Sequence, residues 1–313
     1  MTASTTTGSP RSPRRPGDRI FKGLTAGAGA VIVTTLAGVA IFLTYEGLPA
    51  FTATKAQIPG GTGIVAYLWP LVFGTLLGAV LALAIAMPLA IGVALFISHY
   101  APRRFAGPFG YLVDLLAAVP SVVYGLWGIY FLAPSLTPLY TWLESHLGLF
   151  PVFAGPASVT GRTILTVAVV LAVMILPIVT ALCREVFLQT PRLHEEAALA
   201  LGATRWEMIQ LSVFPHARSG MVSAAMLGLG RALGETMAVA MVLSTTGVVT
   251  FNLISNNNPS TIAANIALKF PEASGIQVNL LIASGLVLFV ITFAVNLAAR
   301  AVVGRRREFS GAN

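Results

Sequence analysis

The chain has 313 residues, of which 56% are hydrophobic and 10% charged, and its mean hydropathy is +0.83. Soluble domains of this size are not so apolar, so the composition predicts a membrane protein with several spans and excludes a soluble enzyme. The net charge of +8 lies mostly beside the apolar stretches, where the positive-inside rule accounts for it, so no nucleic-acid partner is expected. The single cysteine, Cys183, excludes an intramolecular disulfide and a cysteine metal cluster.

Six apolar stretches each reach the length of about 20 residues that a helix needs to cross a bilayer, which predicts an all-α fold with six transmembrane helices. Residues 1–20, rich in Ser, Thr, Pro and Arg, predict a disordered cytoplasmic tail, and residues 304–313 a second one. The first span, 24–45, is too long for the apolar region of a signal peptide, which has about 7–15 residues. Pro120 falls inside the third span and predicts a kink. The other predicted spans are 68–98, 111–132, 163–182, 221–246 and 278–303.

The distribution of basic residues predicts the orientation of these spans. Of the 19 lysines and arginines, fifteen, including Arg300, lie in segments on one side of the predicted spans and three on the other, while Arg231 lies within the fifth span. Because basic residues concentrate on the cytoplasmic side, both termini and the loop Thr190–Pro215 are predicted to be cytoplasmic.

The loop Thr190–Pro215 is the longest charged interval between two apolar stretches. Thr190 is suited to cap a helix that starts at Pro191, and Gly202 is suited to end it. In such a helix Leu193, Ala197, Ala200 and Leu201 share one face. This pattern predicts a short helix whose smooth face fits a socket on a soluble partner.

Glu196, Ala197 and Ala198 are followed after three residues by Gly202 and later by Pro215. At this spacing the chain resembles the permeases of ABC importers. The resemblance implies the type-1 permease fold over residues 68–303, with a coupling loop at 190–215. It also implies that Glu196, Ala197, Ala198 and Gly202 couple the permease to a partner ATPase.

The fifth span contains the only ionised pair within a predicted span, Arg231 and Glu235. Residues four apart share a helical face and are able to pair, and charges inside a membrane are costly unless they face a pathway or a partner. A guanidinium suits an oxyanion because its planar fork offers two parallel donors, so we predict a substrate-translocation site. The alternative is a permanent ion pair that locks the helices together. Gly230 and Gly234 have the spacing of a helix-packing motif.

The run GRALGETMAVAMV from Gly230, the outer segment from Thr261 to Ala273, and Gly17–Lys22 before the first span are similar to the PstC family of phosphate importer permeases. That resemblance covers nearly the whole chain from Gly17. It implies a heterodimer with a PstA-like permease, two copies of a PstB-like ATPase and a PstS-like external phosphate-binding protein. It further implies transport roles for Arg231 and Glu235, with Arg218 as a weaker candidate.

The chain itself is not expected to be an enzyme or to hold a cofactor. None of its three lysines stands in a P-loop, so ATP and Mg²⁺ are expected on the partner ATPase. His194-Glu195 begins a zinc motif, but Ala198 occupies the second histidine position. The alternatives left open are a permease for another oxyanion and an ATP-independent carrier or channel.

Overall fold

The computed structural model describes residues 16–61 and 63–307, and within these ranges the chain folds into helices and contains no strand. Residues 1–15 of the predicted tail 1–20 and residues 308–313 of the predicted tail 304–313 lie outside the described residues. The helices are α1 (Pro16–Thr52), α2 (Ile64–Leu95), α3 (Arg103–Ala117), α4 (Ser121–Trp127), α5 (Ala133–Leu147), α6 (Ile164–Leu188), α7 (Arg192–Ala200), α8 (Arg205–Met208), α9 (Phe214–Leu233), α10 (Met237–Val242), α11 (Ile262–Lys269) and α12 (Ile276–Arg307).

Several of these helices are joined or extended by short segments of other helical types. Phe96–Tyr100 extends α2 as a π-helix, and further π-helical segments join α4 to α5 and α8 to α9. Short 3₁₀ turns occupy Lys55–Gln57 and Phe270–Glu272. Because α1 begins at Pro16 and α12 continues to Arg307, regular helix extends into both predicted tails.

Five helical stretches in the described chain are long and apolar enough to cross a membrane. They are Ile20–Thr52, Ile64–Tyr100, Ser121–Leu147, Ile164–Leu188 and Ile276–Ala301. The predicted fifth span, 221–246, is not one continuous helix, because the chain breaks at Gly234–Thr236 between α9 and α10.

The predicted third span, 111–132, was placed too early. Pro120 does not kink a helix; it precedes the first residue of α4 in an extended conformation, after α3 has ended at Ala117. A proline lacks the N–H that would continue the helix and pushes the residue before it out of the helical region, so the chain starts afresh there. The helical stretch that is long and apolar enough to cross a membrane is therefore Ser121–Leu147, which takes in a segment that was predicted as loop.

The centre of the bundle is α6, which packs between α2 and α9. A stripe of alanines on α2 is fully or almost fully buried; its members are Ala79, Ala82, Ala86, Ala90 and Ala94. Small residues of this kind let helix backbones approach closely where both sides are apolar. On α9 the same purpose is served by Gly228, where a Cβ atom would come within 2.8 Å of Val179 on α6.

The predicted packing pair is a different set of glycines. A Cβ atom on Gly230 would meet nothing within 4 Å, and one on Gly234 would approach only the carbonyl oxygen of Gly230. Within this chain Gly230 and Gly234 therefore do not bring helices together, which corrects the prediction from their spacing.

The end of the bundle away from α7, called here the opposite end, is held by a buried asparagine. The Oδ1 atom of Asn258 accepts from the amide of Ile164 at 3.1 Å, at the start of α6, and its Nδ2 donates to the carbonyl of Ser244 at 3.0 Å. Asn258 is fully buried, so these bonds are shielded from water. They fix the loop between α10 and α11 against the start of the central helix.

Candidate functional site

Arg231 lies near the end of α9 and is exposed to a cavity of about 880 Å³ between α6, α9 and α12. The cavity is lined by Ile178, Val222, Ser223, Met226, Leu227, Gly230, Arg231, Asn296, Ala299 and Arg300. Most of these side chains are apolar, and two carry a guanidinium group.

The predicted ion pair between Arg231 and Glu235 does not form. Glu235 lies beyond Leu233, the last residue of α9, so the two residues do not share a helical face. Its Oε1 accepts from the backbone amide of Ala238 at 3.1 Å, which ties the carboxylate to the first turn of α10. The ion pair found in the described chain lies elsewhere, between His99 and Glu195.

The break between α9 and α10 explains this difference. Gly234 follows α9 with φ −92° and ψ 0°, and Thr236 directs its Oγ1 to the carbonyl of Gly234 at 3.2 Å instead of continuing the helix. The four-residue spacing brings two side chains together only where the helix between them is intact. Arg231 consequently faces the cavity without a carboxylate partner in the described residues.

Arg300 and Asn296 are cavity residues that sequence analysis missed as a site. Arg300 was counted only among the charges that flank the last span. The two lie four apart on α12, so their spacing placed them on one helical face, but the sequence does not show which face meets α9. The structure brings both residues to the cavity that Arg231 lines.

Arg218 is exposed on α9 but does not line this cavity. It lies thirteen residues before Arg231, which corresponds to about 20 Å of helix. The structure therefore separates Arg218 from Arg231 and places it nearer the α7 end of the bundle.

The predicted short helix in the loop Thr190–Pro215 is present as α7, and its end is confirmed. Gly202 adopts φ +89°, and a Cβ atom there would meet nothing within 4 Å, so the backbone conformation and not space is what favours glycine. The predicted start is wrong: Thr190 does not cap the helix. Its Oγ1 is buried without a hydrogen-bond partner, and Pro191 occupies the capping position.

One face of α7 and the turn after it presents apolar side chains to the surroundings. Leu193 on α7 is 75% exposed and Leu201 directly after it 90%, and Leu211, in the π-helical segment before α9, is 68% exposed. Glu196 and Ala197 are also exposed, and Ala197, Ala198 and Gly202 border a shallow cavity of about 710 Å³. Exposed apolar side chains of this size, grouped on one surface, are typical of a protein–protein contact.

The other side of α7 is attached to the bundle. Ala198 packs against the core at the ends of α2, α6 and α9. Glu195 lies 3.5 Å from His99, which extends α2, and Ser212 donates to the carbonyl of His194 at 3.1 Å. A displacement of α7 would therefore act directly on α2 and on the segment that leads into α9.

Near α7, Glu207 and Thr204 form a reciprocal cap at the start of α8. The amide and hydroxyl of Thr204 both donate to Oε2 of Glu207, at 2.7 and 2.8 Å. These two hydrogen bonds favour the ionised carboxylate and hold the pKa of Glu207 below its ordinary value. They fix the turn through which the chain passes from α7 towards α9.

Comparison with known proteins gives consistent matches. The family described as "Binding-protein-dependent transport system inner membrane component" matches residues 86–308. The "Phosphate transport system permease protein PstC 2" of Mycobacterium tuberculosis is 46% identical over 304 residues, 93% of each chain. The PstC permease of Mycobacterium leprae is 44% identical over 300 residues, covering 92% of this chain and 94% of that one.

Solved structures support the fold. The MetNI methionine ABC transporter, solved in inward-facing conformations, contains a chain that matches with a TM-score of 0.55 at 14% identity, covering 76% of this chain and 96% of that one. At this identity the match shows the fold alone, the type-1 permease fold. The chain thus belongs to the binding-protein-dependent inner membrane transport components and, within them, to the PstC permeases, as a multi-pass transport subunit and not an enzyme.

Proposed function

We propose that this chain carries inorganic phosphate across the cytoplasmic membrane as one permease subunit of an ATP-driven importer. The observation that carries the proposal is Arg231, a guanidinium in the predicted fifth span that lines a cavity and has no carboxylate within ion-pair distance in the described chain. A charge so placed is costly unless an anion compensates it, and the relatives are named as phosphate transport permeases.

We assign the partners to surfaces that the chain leaves uncovered. The face of α9 that carries Ser223, Leu227 and Arg231 is exposed in the single chain, and a PstA-like permease would complete the pathway there as a heterodimer. Two copies of a PstB-like ATPase would bind ATP and Mg²⁺ and receive the coupling loops. A PstS-like protein would deliver phosphate from outside. The basic-residue count supports a cytoplasmic location for both termini and for α7.

In this mechanism Arg231 donates two parallel hydrogen bonds to phosphate oxygens as the anion passes. Glu235 acts as a positioning residue, because its bond to the amide of Ala238 fixes the break that ends α9 just beyond Arg231. Arg218, nearer the α7 end and exposed, would meet the anion on its way to the cytoplasm.

Coupling proceeds through α7. Closure of the ATPase dimer would move the surface around Glu196, Ala197, Ala198 and Gly202, and the contact between Glu195 and His99 would pass the motion to α2. The pathway would then switch between inward- and outward-facing arrangements as a rigid-body change. Glu196→Lys and Gly202→Asp should leave insertion intact but uncouple ATP hydrolysis from uptake, and normal uptake by both variants would refute this assignment.

The experiment that tests the substrate is uptake of labelled phosphate in cells that lack other phosphate systems, with subunit levels measured in the membrane. Arg231→Gln removes a bidentate contact worth about 3 kcal/mol, so uptake should fall about a hundredfold. Arg231→Lys should retain part of the rate. Uptake of sulfate or molybdate in place of phosphate would show a permease for another oxyanion, and unchanged uptake in Arg231→Gln would make the residue structural.

A further inference from the structure

Two positive charges share the cavity at Arg231. Arg231 projects from α9 and Arg300 from α12, and no carboxylate is among the residues that line the cavity. The ion pair in the described part of the chain lies at His99 and Glu195, away from both arginines. Two like charges beside one apolar-walled space repel each other, and an anion between them or passing them would relieve that repulsion.

The two arginines lie at different depths. The cavity follows α9 from Val222 to Arg231, a distance of about 13 Å along the helix. Because α9 leads away from the α7 end and α12 returns towards it, Arg300 lies nearer the α7 end than Asn296, which is one turn earlier on α12. Arg231 borders the other end of the same cavity. Arg231 and Arg300 therefore form two successive cationic positions along the cavity, and they do not bind one anion together.

We propose that Arg300, together with Asn296, forms a second phosphate-holding position on the pathway, between Arg231 and the α7 end. The inference rests on the proposed function, since it takes the transported oxyanion as the ligand. A guanidinium fork and a carboxamide amine on one face of a helix both donate hydrogen bonds to tetrahedral oxyanions. The apolar side chains of Ile178 and Met226 line the same cavity and offer no competing hydrogen-bond partner.

Arg300 differs from an ordinary charge at the end of a membrane helix. It lies seven residues before the end of α12, and Arg305, Arg306 and Arg307 already supply the basic flank that the positive-inside rule requires. Its helical neighbours Asn296 and Ala299 line the cavity with it. A phosphate group on a phospholipid head has the same chemistry as free phosphate, so the test must separate these two sources.

The test is equilibrium binding of labelled inorganic phosphate to the purified membrane complex, with the external binding protein left out because it binds phosphate itself. Arg300→Gln should weaken this binding about tenfold or more, as expected for loss of a charge-assisted contact, and Arg300→Lys should weaken it less. Lys22→Gln is the matched control: it removes one exposed cation from the basic flank of α1, outside the cavity. It should bind phosphate as the parent does. In uptake, Arg300→Gln should lower the maximal rate but leave the KM for external phosphate unchanged, because the binding protein captures the anion.

Equal phosphate affinity in Arg300→Gln and Lys22→Gln would overturn the inference, as would a parent complex that transports phosphate but binds none saturably. Native mass spectrometry of the same complexes shows whether a phospholipid copurifies with them. A copurifying phospholipid that is lost in Arg300→Gln, with phosphate affinity unchanged, would assign the position to a lipid head and refute a place on the pathway. A parent that takes up no phosphate at all would refute the proposed function itself.

Discussion

Substitution of Glu235 by glutamine distinguishes two roles of this side chain: a cap at the start of α10, or an ion-pair partner of Arg231. If it caps α10, as its 3.1 Å bond from Ala238 indicates, then Glu235→Gln keeps an acceptor oxygen and loses only the charge. A hydrogen bond to a charged group contributes about 1.5–3 kcal/mol and a neutral one about 0.5–1.5, so the expected cost is about 1 kcal/mol. If it were the partner of Arg231, the same change would leave a charge within the predicted span unpaired, at a cost of up to about 3–5 kcal/mol if the partner subunit buries that charge.

The two free-energy costs predict different rates of phosphate uptake. If the whole cost appears in the transport barrier, Glu235→Gln lowers uptake about fivefold as a cap and about a thousandfold as half of an ion pair. Glu235→Ala, which removes the acceptor, should be worse than Glu235→Gln. The assay is phosphate uptake normalised to membrane levels, with Glu272→Gln, an exposed glutamate at the opposite end, as the control. A loss in Glu235→Gln as large as that in Arg231→Gln would refute the capping role.

Three further predictions concern stability. A Cβ atom on Gly74 would overlap a backbone carbonyl oxygen, so Gly74→Ala should lower the thermal stability of the complex, whereas Gly92→Ala, on the same helix with nothing within 4 Å, should not. Thr190→Val removes a buried hydroxyl that has no partner, so the unfolding midpoint should stay or rise, and a clear fall would show a missed hydrogen bond. The cap at Glu207 is fully present above the ordinary glutamate pKa of 4.5 and is lost as the pH falls through the lower pKa of the folded state. The protection of the α8 amides, measured against their intrinsic exchange rate at each pH, should therefore fall in acid, and Thr204→Ala should abolish that dependence.

The features that sequence predicted well depend on local chemistry. The length of an apolar run sets whether it spans a bilayer, and five of the six predicted spans correspond to apolar helices of sufficient length, although one is displaced. Gly202 ends α7 because its positive φ suits a residue without Cβ, and that preference is visible in the sequence. The resemblance to the permease family was likewise drawn from local spacing around Glu196.

The features that sequence predicted badly depend on where helices break and which faces meet. The length of an apolar stretch does not reveal a helix break at Pro120 or Gly234, because each residue lies inside a stretch that is apolar on average. Only the backbone shows that α4 starts after the first and that α9 ends beside the second. The Arg231–Glu235 pair was inferred from a helix that does not continue between them. Arg300 was assigned to the membrane flank because charge counting contains no information on helix packing.

The position of α9 connects the two regions that the proposed function requires. From Arg205 to Leu233 the chain is helical without an intervening loop, so about 39 Å of helix joins the turn after α7 to Arg231. Pro215 lies in this stretch and lacks the N–H that would bond one turn back, and the π-helical segment directly before it accommodates that loss without a break. A tilt imposed at the start of this helix is therefore carried to its end, where Glu235 fixes the break and Arg231 meets the cavity. Coupling and substrate contact thus lie at the two ends of one element, which explains why a change at Gly202 is expected to alter transport without touching the pathway.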